Sequence, residues 1–141
     1  MTKTPRTVIP ALLTLVVGFS AGLFFSVAAQ DQKVYELRTY TATPGNLGNL
    51  NARFRDHTIR IFRKHGMEIV GFWVPTDPEL ADDTLIYVLE HDSRAAADAS
   101  WQAFGQDPEW REVAAASNAN GQILANVERQ YMQATDYSPL R

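Results

Sequence analysis

The spacing of apolar side chains switches between two periods along this chain, and the order of the switches leaves few folds open. KVYELRTYT (residues 33–41) is rich in β-branched and aromatic residues and ends at the turn signal TPGN, which reads as a strand. Asn46 is then placed to cap a helix. Leu47, Leu50, Phe54, Thr58, Ile61 and Phe62 recur at steps of three and four, with Arg53, Asp56, Arg60, Arg63 and Lys64 opposite. This predicts one amphipathic helix from Leu47 to His65, stopped by Gly66. Ile69–Val74 and Thr84–Glu90 flank the turn-rich PTDPELADD and predict an antiparallel pair. Ser93 opens a second helix that packs through its alanines, Trp101 and Phe104. DPEW restarts it with Asp107 as cap and Pro108 at the first helical position. Gln122–Met132 reads as the last strand.

The order strand, helix, strand, strand, helix, strand is the split βαββαβ arrangement of ferredoxin-like α+β folds. Right-handed crossovers put both helices on one face of a four-stranded sheet. The other face would then be wet, yet both alternating sets along the strands carry large apolar groups. Tyr35 and Leu37 stand against Val34 and Tyr40, and Ile69 and Trp73 against Val70 and Phe72. Leu85, Tyr87 and Leu89 stand against Ile86 and Val88. A half-covered sheet shows a cleaner alternation, so the second face is expected to meet a second copy: a homodimer through the sheets.

Lys3 and Arg6 precede a nearly continuous apolar run, Val8–Ala29, that ends in VAAQDQ. Residues 1–29 have the charged, apolar and small-residue parts of a secretory signal cut after Ala29, with an uncleaved membrane anchor as the alternative. Either way residues 30–141 form one domain, exported to the periplasm or secreted, or tethered outside the cytoplasm. Contact with a membrane is expected only through the leader. Asp and Glu number 16 against 13 Lys and Arg, and setting aside Lys3 and Arg6 makes the domain more acidic still. That argues against a nucleic-acid partner. The absence of cysteine removes disulfides, thiolate metal sites and a cysteine nucleophile together.

YELRTYTATPG, the stretch RFRDHT with its KHGM ending, VGFW, LIYVLEH, SWQAF with DPEW, and the closing YM and TDYSP together resemble the NIPSNAP family. The likeness runs over almost everything after the leader. It implies a dimeric α+β barrel, two ferredoxin-like protomers joined by their sheets. The broader likeness to dimeric α+β barrel enzymes, cofactor-independent monooxygenases and haem proteins among them, implies a pocket for a small molecule by fold analogy.

His57 is the sharpest candidate for chemistry. At about 100° per residue it falls at the border of the apolar helix face, where the helix should meet the sheet. An imidazole there could act as an acid or base, bind haem or hold a substrate, or simply bond a neighbouring carbonyl. His65 reads as a helix C-terminal cap and His91 as a strand-end residue. Arg38, Glu36 and Glu90 are strand charges that call for partners, with substrate recognition by Arg38 as the other reading. Tyr40, Trp73 and Tyr87 could line an apolar pocket with Arg38, although aromatic residues at such spacings also build cores. No HExxH, GxSxG, GxGxxG or phosphate-binding loop occurs, so no metal site is expected. No cofactor is expected either, with haem as the alternative that a visible absorption band would mark. Two functions remain. The first is a module binding a small apolar or aromatic ligand or a partner. The second is a small-molecule enzyme, of a cofactor-independent oxygenase or isomerase type, with His57 as acid or base.

Overall fold

The structure, a computed structural model, describes residues 33–140; the expected leader, residues 1–29, lies outside the described residues. Strands β1 (Val34–Ala42), β2 (Glu68–Trp73), β3 (Thr84–His91) and β4 (Leu124–Met132) form an antiparallel sheet in the order β2-β3-β1-β4. The fold is the expected α+β, ferredoxin-like arrangement. The helices are α1 (Leu47–Arg53) and α2 (Ile59–Lys64), joined by a five-residue π segment (Phe54–Thr58), then α3 (Arg94–Gln106) and α4 (Pro108–Ser117). Among the described residues no helix is long and apolar enough to cross a membrane.

Strand alternation decides which side chains meet the helices. Glu36, Arg38, Tyr40 and Ala42 of β1 are buried, as are Leu85, Tyr87, Leu89 and His91 of β3, and these form the inner face. Tyr40 and Tyr87 stack edge-on to each other, and Phe54, Phe62 and Phe72 gather on the Tyr87 ring with centroids 5.2–6.0 Å away. Trp101 and Phe104 of α3 extend this aromatic seam, and Trp110 of α4 closes it against Phe104 at 4.4 Å. Leu37, Ile86 and Val88 fall on the outer face and are half-buried.

The helix ends show why the elements stop where they do. Gly66 adopts φ 72°, which a glycine reaches without a Cβ clash. Its N–H donates to Arg63 O at 3.1 Å and that of Met67 to Phe62 O at 3.0 Å, the paired bonds of a Schellman ending, with Met67 and Phe62 both buried. Ser93 Oγ accepts from Ala96 N at 3.1 Å, and Asp107 Oδ1 accepts from Glu109 N at 2.8 Å, so both of these act as the expected N-caps. Asn46 does not cap. It occupies the cap position, but its side-chain amide donates to Thr43 Oγ1 at 2.8 Å and so steadies the turn instead.

One clasp joins the two parts of the helical layer. Asp107 Oδ2 receives Lys64 Nζ at 2.7 Å and His65 Nε2 at 2.6 Å, while Arg60 pairs with Glu109. His65 therefore sits at the helix C-terminus as expected, and there it also ties α2 to the start of α4. The hydrogen bonds from Lys64 and then from His65 hold the Asp107 carboxyl far below the usual carboxylate range. A depressed pKa means stability present above the unfolded value, about 4, and lost as pH falls through the folded one. Asp107→Asn keeps a capping oxygen but removes the charge. It is expected to lower the Tm at pH 7, with the gap to the parent narrowing as scans move below about pH 4, where the unfolded carboxyl is protonated.

Candidate functional site

The inner face of the sheet carries charged groups where hydrocarbon would be cheaper, and Glu36, Arg38 and His91 meet there around Glu36. This residue is 0% exposed. Its Oε1 accepts from Arg38 Nε at 2.7 Å, and its Oε2 lies 2.9 Å from His91 Nε2 and accepts from Trp101 Nε1 at 2.6 Å. The Arg38 guanidinium stacks 3.9 Å above the Trp101 ring. Burial alone would push the Glu36 carboxyl up. The bonds from His91 and Trp101, with the charge of Arg38, outweigh it and hold the group below the ordinary range. Arg38 is thus paired with Glu36, and Glu36 itself is 0% exposed.

A second region centres on the π segment. The Ile59 N–H donates to Phe54 O, an i→i+5 bond, and Thr58 Oγ1 donates to Arg53 O at 3.2 Å. π turns of this sort are frequent at functional sites. The widened turn brings its two ends, Phe54 and Thr58, inward while residues 55–57 stand in solvent. Between this turn and the β2–β3 end of the sheet lies a groove of about 310 Å³. Its walls are Phe54, Ile59, Phe72, Trp73, Val74 and Leu85, with Asn51 and Arg55 as its polar members.

The expected site residues divide between these places. Arg38, Tyr40 and Tyr87 share the inner face, and burial pushes the Tyr87 phenol well above its ordinary value. Trp73 belongs elsewhere. The β2 register sets it opposite Ile86, its ring lies over Gly71, where a Cβ would come within 2.7 Å of it, and it is 50% exposed at the groove. His57 is a correction: it is exposed on the outside of the π segment and does not line the groove. A regular 3.6-residue turn would have held it on the apolar border, and the i→i+5 turn rotates it away. Arg53, expected on the polar side, is also a correction: it ends the regular helix α1 three residues after the buried Leu50, about 60° from it around the axis, and is 6% exposed. His91, read as a strand-end residue, proves to be a buried member of the Glu36 cluster. The clue was that His91 and Glu36 have the same strand parity as the core residues Leu89 and Tyr40. Among the described residues no group of three or more His, Asp and Glu could hold a metal ion, and no histidine lines the groove.

Removing one partner from a buried charge cluster leaves the others uncompensated. Glu36→Gln is expected to destabilise the fold by roughly 3–5 kcal/mol in urea titrations at pH 7. Because the Glu36 pKa is lowered, that contribution exists above the unfolded carboxyl value and disappears as pH falls through the folded one. The parent should therefore lose stability more steeply on acidification than the variant.

Three solved structures place this architecture among known proteins. A NIPSNAP family protein of Agrobacterium tumefaciens superposes with a TM-score of 0.69 at 19% identity, covering 78% of this chain and 100% of its own. A NIPSNAP-like domain protein from Burkholderia xenovorans gives 0.67 at 16% identity, covering 77% and 90%. A monooxygenase from Streptomyces coelicolor, solved with the ligand nanaomycin D, gives 0.55 at 14% identity, covering 76% and 91%. At such identities the likeness is one of fold. No curated protein sequence matches the chain. The NIPSNAP family model matches residues 35–139, nearly the whole of the described domain, and the chain belongs to the NIPSNAP family.

Proposed function

We propose that this NIPSNAP domain is a homodimeric binding module that holds a small apolar or aromatic molecule in the groove beside the π segment, without converting it. The groove carries the reading. It is concave and walled by aromatic and aliphatic side chains, with two polar residues able to orient a ligand, which is the usual make-up of a small-molecule site. The Glu36 cluster spends its charges on one another, and His57 faces water, so the groove presents no acid–base pair to a bound molecule. The related fold of a monooxygenase solved with nanaomycin D supports an aromatic ligand by analogy.

Dimerisation is argued from the outer face. Leu37 pairs with Val88, Thr39 with Ile86, and Trp73 with Ile86 across the strands, so an apolar strip crosses β1, β3 and β2. Covering such a strip with a second copy buries apolar area at roughly 25 cal/mol per Å². Analytical ultracentrifugation should show a dimer at micromolar concentration, and Val88→Glu should give a folded monomer; a parent that sediments as a monomer rejects the arrangement.

The ligand reading is tested by titration calorimetry with 1-naphthol and related fused-ring aromatics. Saturable binding with a negative ΔCp is expected, the probe should be recovered chemically unchanged, and Trp73→Ala should weaken it about tenfold, equivalent to about 1.4 kcal/mol. Absence of saturable binding across the series, or binding indifferent to Trp73, overturns it; conversion of the probe would make the protein an enzyme.

A further inference from the structure

Arg53 differs from the other buried charges on the inner side of the sheet. It ends α1, is 6% exposed, and its buried Nε has no hydrogen-bond acceptor. Nη1 donates to Ser117 Oγ at 3.2 Å, and the guanidinium carbon lies 5.3 Å from the centre of the Trp110 ring. Among the described residues no carboxylate completes the set. Arg38 has Glu36, Arg60 has Glu109 and Arg94 has Asp98, whereas the ionisable groups whose charge bears on Arg53 are the phenols of Tyr40 and Tyr87. Burial lowers the Arg53 pKa, with those two phenols offsetting part of the effect, yet a guanidinium stays charged in any folded protein. Buried atoms without a partner also occur at the Tyr35, Tyr87 and Tyr131 hydroxyls and at His91 Nδ1, but Arg53 Nε belongs to a permanent charge, and a desolvated cation without a counter-ion is costly to keep.

Beside it lies a cavity of about 50 Å³ whose walls include Tyr40, Phe54, Thr58, Phe104 and Trp110. Roughly 10–15 Å³ of such space admits one water-sized group, so the cavity has room for an oxyanion of a few heavy atoms. The structure holds a fixed donor, an unmatched charge and an empty volume at one place, in an aromatic wall where water would compete weakly.

We propose that this cavity is an anion subsite, taking a carboxylate whose oxygen accepts from Arg53 Nε. Such a charge-assisted bond is short and strong, and guanidinium geometry suits a carboxylate. The subsite stands apart from the aromatic groove and does not rest on it, although Phe54 borders both. The carboxylate can be a free small anion or the arm of a larger molecule, and the chemistry at Arg53 is the same.

Thermal unfolding in formate, compared with chloride at equal ionic strength, tests it, because chloride screens charge equally but has no carboxylate oxygens to accept from the Arg53 fork. A saturable rise in Tm of roughly 4–8 °C is expected once formate exceeds its Kd about fivefold. The rise should vanish in Arg53→Met and persist in Trp73→Ala, whose failure to bind 1-naphthol would speak only to the groove. Should Arg53→Met not fold, Arg53→Lys keeps the charge without the fork and should shift the formate midpoint at least about tenfold. Tighter binding of 1-naphthoate than of 1-naphthol, lost with Arg53, would assign the carboxylate to a larger ligand, and a response to formate alone would assign it to a free anion. No formate-specific rise in the parent, or a rise that survives loss of Arg53, overturns the proposal.

Discussion

A carboxylate taken wholly out of water sets the terms for this fold. Glu36 can stay ionised on the inner face of the sheet only if several donors reach it together, and they come from three elements. Arg38 lies two residues along the same strand, His91 comes from β3 and Trp101 from α3. In the β1–β3 ladder Glu36 faces Leu89, so His91 is its diagonal neighbour on the same face. A slip of β1 by one residue would turn Glu36 and Arg38 to the other face, away from His91 and Trp101, and strand the charge. The cluster therefore acts as a register pin: it ties the central strand pair to α3, and the aromatic seam packs around that arrangement.

The π segment is the second device, and it follows from what the first rod of helix must cover. Phe54 has to reach Tyr40 and Tyr87, and Ile61, Phe62 and Met67 have to close the far end of the core. Widening one turn lets both sets face the sheet while residues 55–57 bow outward. The result is a rod with an opening on each side of Phe54: an apolar groove toward β2, and toward α4 a cavity with a guanidinium in its wall. Backbone irregularity and cavity occur together because a widened turn cannot pack as closely as a regular one.

The two faces of the sheet carry different work. The inner face is filled with rings and a compensated charge cluster, which leaves little free reactivity there. The outer face keeps an apolar strip through Leu37, Val88 and Ile86 with Trp73 at its edge, and polar residues Thr39, Glu128 and Gln130 beside it. Such a division is what the proposed binding module requires, a groove on the helical side and an apolar face on the sheet.

The element order, the strand alternation, the stop at Gly66 and the caps at Ser93 and Asp107 were legible in the sequence, because periodicity and capping act over a few residues and leave a local trace. So was the family, through the run of motifs from YELRTYT to TDYSP. The site was legible only in part. Arg38, Tyr40 and Tyr87 could be grouped by strand parity, but the partner that neutralises Arg38 depends on how β1, β3 and α3 meet. His57 left its expected face because a π turn has no clear signature in composition and is settled by what the helix packs against, while Arg53 sits at the border of the apolar face of α1, where periodicity alone does not say which side wins. The sequence by itself determined which residues form strands and helices and which parity of each strand is apolar. Only the tertiary structure decided which charges find partners, since a counter-ion, or the lack of one at Arg53, is a matter of distances between residues far apart along the chain.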